Sequence, residues 1–509
     1  MPGVPSSRGC EACRKQKKKV GLYHPPLCSS RSLQSNGQQR YKFKEQMVIR
    51  GTPIRSQGSL SPSKVPHSPS SEGTATASAL VTILDITDVR YELTYYGEFL
   101  KDIPRRLGTN DVLDASVTAL TYAYPSLRTS QPSPEALNKY VNALKTLRLG
   151  LQDPVKMRTM EALCGIYLIV VCQSWLCRND DKCVNHGEPM AQLLHMAVMQ
   201  NWQGSFTNEM LLTFSIIAIF ESTFNPNIQL EPWLGKLAER IFSTRPQRMH
   251  PYPSLHLQNF ANISTYVREP EFHVFEIESA YKTMLVDLPK LRRLVDKTTG
   301  EIAAAEAVGS SPITLLRLLT RYQAMYGMLL AFAIILNRML REFDPDDVVI
   351  LQNSGCLFDQ LMSLAHEACR HRPIGASYMP LCLVAAWAAS TDASQRVQAE
   401  AMIADYQSDF KEVRWLEMAV WLARKLDTLR LKLAPLGFVG NYFSDLVIIT
   451  TFPLPTPPSS LTSLVHIALQ DQQTPDLRLS RHAQPQLQSW LCTHAYVFID
   501  HTGDTRQFS

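Results

Sequence analysis

Between residues 80 and 450 apolar side chains recur every third or fourth position and hardly ever every second. That spacing sets them along one stripe of a 3.6-residue helix and on no consistent face of a strand. The span is therefore confined to an all-α fold. The stretch SPEALNKYVNALKTLRLGL at 133–151 shows the pattern most fully. Ser133 suits the N-cap, Pro134 the first helical position and Glu135 the positive end of the helix dipole. Leu137, Tyr140, Val141, Leu144, Leu147 and Leu149 form its apolar stripe. Similar runs predict helices at 157–176, 188–199, 208–220, 232–242, 314–340, 354–369, 381–389 and 393–433. Proline marks the breaks at Asp153-Pro154, Asn225-Pro226, Arg245-Pro246, Pro251, Pro253 and Arg372-Pro373. No heptad register is read over the three or four repeats that a dimerising coiled coil needs, so a homodimer stays open without that device.

Two apolar runs stand out, ALCGIYLIVVCQSWLC at 162–177 and MLLAFAIILNRML at 328–340. Neither reaches the roughly 18–20 unbroken apolar residues of a bilayer crossing, and Asn337 and Arg338 interrupt the second. Both are expected as buried core helices, and no membrane is expected as a partner. The N-terminus opens on proline, serine and charge rather than an apolar run, so no secretory leader is expected. Eleven cysteines in 509 residues then argue for free thiols and metal ligands rather than a disulfide scaffold.

Charge divides the chain more sharply than hydropathy does. Residues 1–50 hold eleven Lys/Arg against two acidic residues, a surplus of nine, while the other 459 residues carry 40 basic and 44 acidic, a deficit of four. An arm with all the excess positive charge suits a polyanionic partner. Residues 51–79 are rich in Ser, Pro, Gly and Thr and poor in large apolar groups. Such a stretch cannot bury enough surface to offset the entropy of ordering, which predicts a disordered linker. Ser61-Pro62 and Ser68-Pro69 have the form of proline-directed phosphorylation sites, or of plain linker punctuation. The helical body is set at 80–450. Helical periodicity fades from TFPLPTPPSS onward, and 451–509 is expected as a loosely ordered tail.

The arm carries the chain's most specific chemistry, SRGCEACRKQKKKV. Cys10 and Cys13 have the C-x-x-C spacing with which two thiolates grip one tetrahedral metal, and Arg14, Lys15, Lys17, Lys18 and Lys19 follow at once. A thioredoxin-type redox motif does not fit, because no strand precedes the pair and the lysine run is foreign to it. These residues resemble the start of the fungal binuclear zinc-cluster (Zn2Cys6) DNA-binding domain, in which six cysteines hold two zinc ions. The resemblance implies zinc on Cys10, Cys13 and, through the loop Pro26-Leu27-Cys28, on Cys28. It also implies that Arg14, Lys15, Gln16, Lys17, Lys18 and Lys19 lie on or beside a short helix that meets DNA phosphates and a base step in the major groove.

The family's pattern breaks at three places. Val20 stands for the third cysteine, Arg31 for the fifth, and none lies near Gln38 for the sixth. Three thiolates cannot bridge two zinc ions, and a module folded by its metal stays unfolded without it. Either Val20, whose codons begin GT as introns do, opens a translated intron, or the motif has degenerated. A third arrangement, Cys10, Cys13, His24 and Cys28, has the form of a single C2HC zinc site. Even without metal, RKQKKKV at 14–20 has the form of a nuclear import signal and can neutralise about four or five phosphates.

The body, through stretches such as YYGEFLKDIPRRLG at 95–108 and ALTYAYPSLR at 119–128, is similar to the all-α middle-homology domain that follows the zinc cluster in the same fungal transcription factors. Together the two resemblances imply a nuclear regulator of RNA polymerase II genes, bound to promoter DNA and to coactivators or corepressors. In such factors that role is often tied to a secondary-metabolite gene cluster. The competing expectation is an all-α interaction protein that modulates transcription without touching DNA. No enzyme is expected, since the sequence holds no G-x-S-x-G, no phosphate-cradling glycine loop, no H-E-x-x-H and no paired-carboxylate pattern. Cys172, Cys177, Cys183 and His186 lie close in sequence, as do His366, Cys369 and His371. Neither set has metal-site spacing, so both are expected as packing and loop residues.

Overall fold

The body begins earlier than its composition suggests. Helix α1 (Glu72–Leu84) starts inside the stretch expected as linker. Ala75, Ala77 and Ala79 give it helix propensity, and Leu80, fully buried, fastens it to the rest of the body. The linker expectation is therefore corrected for residues 72–79. The computed structural model describes residues 72–176, 187–244, 252–410 and 413–433. Among these residues there is no strand, and the all-α expectation holds for the body. After α1 come α2 (Asp111–Ala123), α3 (Pro134–Leu151), α4 (Met160–Leu176), α5 (Gly187–Met199), α6 (Ser205–Phe224), α7 (Trp233–Thr244) and α8 (Leu257–Arg268). A second series follows: α9 (Val274–Ala307), α10 (Ile313–Phe343), α11 (Val348–Ala368), α12 (Met379–Ala389), α13 (Ala393–Gln407) and α14 (Trp415–Leu433).

The helices pack as two groups. In the first, α2 lies against α3 and α4, and α6 against α5 and α8. In the second, α10 is the central post, with α9, α11, α12 and α14 around it. An 18-residue window of α10 is apolar enough by composition to cross a bilayer, yet it is buried throughout inside the protein. Asn337 near its C-terminal end donates to the Tyr281 hydroxyl of α9 at 3.0 Å and to the Ile350 carbonyl of α11 at 2.8 Å. Toward the other end, Arg292 of α9 reaches Glu367 of α11 at 3.2 Å. The two flanking helices thus run parallel to each other and antiparallel to the post.

Local signals place some elements and miss others. Ser133 caps α3 as its sequence demands, its hydroxyl accepting from the Ala136 amide at 3.1 Å. The single helix expected at 393–433 is instead two, α13 and α14, broken after Gln407. There Arg372 gathers Asp405 at 2.7 Å, Ser408 at 2.8 Å and Asp409 at 2.6 Å. Short polar side chains of this kind compete with the helix ladder. The longest helix, α9, occupies a span for which the periodicity reading gives none. Asp287 is one of its nine buried residues, and the other eight, Ile277, Tyr281, Met284, Leu288, Leu291, Val295, Thr298 and Ile302, alternate spacings of four and three. That is a heptad seam of about three and a half repeats, and it corrects the expectation that no heptad persists. α9 lays this seam along α10.

Candidate functional site

Every residue nominated by the arm's chemistry, Cys10, Cys13, Cys28, Arg14, Lys15, Gln16, Lys17, Lys18 and Lys19, lies outside the described residues. So do His24, Cys177, Cys183 and His186. Cys172 is fully buried on α4, and burial pushes its thiol pKa up. In the other cluster, Cys369 donates its thiol to the Ala365 carbonyl at 3.3 Å. His371 is buried and accepts at Nε2 from Arg370 Nε at 3.2 Å. Burial and the Arg370 charge push its imidazole pKa down to about 4. Among the described residues no group of three or more His, Cys, Asp or Glu is placed to hold a metal. An open cleft of about 570 Å³ near Arg105 holds both signs of charge, and Arg106 in it pairs with Glu161 at 2.8 Å while covering the Phe206 ring at 3.9 Å.

Two junctions between the helix groups stand out among the described residues. The first is a strap, residues 89–106, made of the 3-10 segments Leu93–Tyr96 and Glu98–Arg105. Gly97 separates them with φ at +142°, and a Cβ there would fall 2.2 Å from the Phe99 ring. Glu92, Tyr95 and Glu98 nevertheless turn to one side. Helix α10 meets that side with three partners. Arg317 holds Glu92 at 2.7 Å, Arg321 holds Glu98 at 2.7 Å, and the Thr320 hydroxyl bonds that of Tyr95. Glu92 is 3% exposed, and its other oxygen accepts from Thr94 at 2.5 Å. Burial pushes the Tyr95 phenol pKa up.

The strap's other side is fastened to the first group by aromatic donors. Tyr124 donates to the Tyr91 carbonyl at 2.7 Å, Tyr167 to the Tyr96 carbonyl at 2.6 Å, and the Trp175 indole to the Tyr96 hydroxyl at 3.0 Å. The Ile374 amide, in the loop before α12, adds a bond to the Arg90 carbonyl at 3.1 Å. One and two turns beyond Thr320 the same face of α10 carries Gln323 and Gly327. A Cβ at Gly327 would fall 2.9 Å from Tyr378 Cε2, so glycine is what lets that ring lie against the post. The Gln323 amide and the Tyr378 hydroxyl, on residues each 1% exposed, have no hydrogen-bond partner among the described residues.

The second junction is an apolar seam. Phe332 of α10 stacks on Phe220 of α6, ring centres 6.0 Å apart, and takes Phe260 of α8 edge-on at 5.2 Å. Beside these rings lies a cavity of about 60 Å³ walled by α6 and α8 on one side and by α10, α12 and α14 on the other. Its polar groups are already satisfied. Ser264 donates to the Ile219 carbonyl at 2.7 Å and accepts from Thr223 at 2.8 Å.

These two junctions can couple the helix groups mechanically, the strap by directional bonds and the seam by burial. The sequence carried a usable sign of the strap: acidic, aromatic and acidic residues spaced by three in ELTYYGE. It carried none of the seam, whose walls come from five distant helices. Compared with protein-family models, with curated proteins and with solved structures, the chain matches none.

Proposed function

We propose that this chain is a nuclear regulator of transcription that binds promoter DNA through its N-terminal arm and is governed through its helical body, as in the fungal zinc-cluster factors it resembles. One observation carries the reading. The first fifty residues hold a surplus of nine positive charges, and five basic side chains fall in the six positions after Cys13. A run of that density neutralises phosphates and releases their counterions, a gain that does not depend on base sequence. Base selection falls to Arg14, Gln16, Lys17 and Lys19, at the positions where the family's helix meets the groove. Coregulators as partners and control of a secondary-metabolite gene cluster belong to the same proposal on resemblance alone.

Phosphate neutralisation needs no zinc, whereas base selection needs the arm folded. Cys10, Cys13 and Cys28 do not make the donor set of a binuclear cluster, and His24 would complete only a single-zinc set. The test is binding of the full chain to duplex DNA across a salt series. Changing Lys17 and Lys19 together to Ala should weaken binding and reduce the slope of log K against log salt by about two. Failure to bind duplex even at low salt sinks the reading. Val20 and Arg31, at positions where the family has cysteine, favour a second reading, an all-α interaction protein that modulates transcription without DNA contact. Under that reading the two lysine changes alter nothing.

A further inference from the structure

We propose that the seam cavity binds a small, uncharged, hydrocarbon-like molecule. Junctions between packed groups of elements are where small-molecule sites tend to form, and this one joins the two helix groups along α6, α8, α10, α12 and α14. The chemical class follows from the walls. Thr223 and Ser264 are committed to each other and to the Ile219 carbonyl. A charged or strongly polar ligand would therefore lose its hydration and gain no compensating bond. An apolar ligand loses nothing of that kind and gains the contacts that a void leaves unmade.

Size and access follow from the same residues. The cavity is about 60 Å³, whereas an engineered apolar cavity of about 150 Å³ takes up benzene. Met328 and Met418 line it, and a thioether with three rotatable bonds is the side chain best able to move aside. Thr223 and Leu381 are partly buried members of its wall, whereas Phe332, Ala385 and Met418 are buried. A ligand seated there touches both helix groups at once and stabilises the folded chain over the unfolded one. The inference stands whether or not the arm binds DNA.

Thermal unfolding of the full chain with and without benzene near its aqueous solubility tests it. Benzene should raise the midpoint by about 2 °C. The rise should vanish in Ala385→Val and in Ala331→Val, which fill the cavity from different helices, so that either variant serves if the other fails to fold. Xenon under pressure should show a protein-dependent NMR shift that the same variants abolish. No benzene rise in the unaltered chain would overturn the proposal and leave a dry packing gap. An equal rise in the filled variants would overturn it by placing the ligand elsewhere.

Discussion

The strap and the seam join the same two helix groups by opposite physics. At the strap, Glu92, Tyr95 and Glu98 meet Arg317, Thr320 and Arg321 with bonds that tolerate little displacement. At the seam, Phe220, Phe260 and Phe332 exclude water over a surface that tolerates sliding and leaves a void. The first kind of contact fixes register, because a shift of one residue would unpair both acids. The second works through burial alone, because aromatic side chains each remove ~150–250 Å² from water, whereas the strap adds its bonds to a burial of its own in Tyr95, Tyr96 and Phe99. A junction of only one kind would be either well aligned and weak or strong and poorly aligned. The pair also separates sensitivities: the strap responds to charge, and the seam to volume.

Phe332→Ala should show the largest effect. The ring sits between two others and beside an existing void, so its loss removes burial and enlarges a cavity that the helices cannot readily close. Losses of about 3–5 kcal/mol are usual for such truncations. Urea unfolding of the full chain measures it. A loss below about 1 kcal/mol would mean that the seam contributes little and that the comparison with the strap fails.

How much of this was legible in the sequence depends on how local each signal is. Ser133 and Pro134 announced α3 because a cap is decided within four residues. The fold class was legible for the same reason, since helical periodicity is local. Helix α9 was not, because Pro289 sits in its middle, where a proline ends most helices. The start of α1 was masked by the Ser/Pro composition just before it, whereas Leu80 draws it onto the body. The seam is assembled from residues about two hundred apart in sequence, from Ile219 to Leu422, and no local pattern brings those together. The arm stands at the other extreme, since Cys10, Cys13 and the basic run are legible only as sequence.

Glu92→Ala comes next. It removes a carboxylate that is 3% exposed and that serves both Arg317 and Thr94. The arginine side chain is about one-third exposed and can turn to water, which limits the penalty. A loss of about 2 kcal/mol is expected. A double-mutant cycle with Arg317→Ala isolates the pair, and a coupling of about 1 kcal/mol would credit the strap with a real electrostatic share. Zero coupling would mean that this pair adds no net stability and leave the strap to its other bonds and to the burial of Tyr95 and Tyr96.

Tyr95→Phe should show the smallest effect and the sharpest one. The ring stays buried, so the burial term is unchanged, and only the bond to Thr320 is lost. Thr320 is not stranded by that loss, because its hydroxyl also lies 3.1 Å from the Leu316 carbonyl and 2.9 Å from the Arg317 carbonyl. The expected cost is about 0.5–1 kcal/mol, the net worth of a hydrogen bond whose surviving partner remains satisfied. The measurement that counts is the comparison of Tyr95→Phe with Tyr95→Leu by urea unfolding. If the hydroxyl matters only for register, phenylalanine should keep the unfolding cooperative at nearly full stability, while leucine should cost several times more. If the two variants lose equally, the aromatic ring adds nothing over an aliphatic side chain at this position, and the strap is held by its arginine pairs and its remaining bonds.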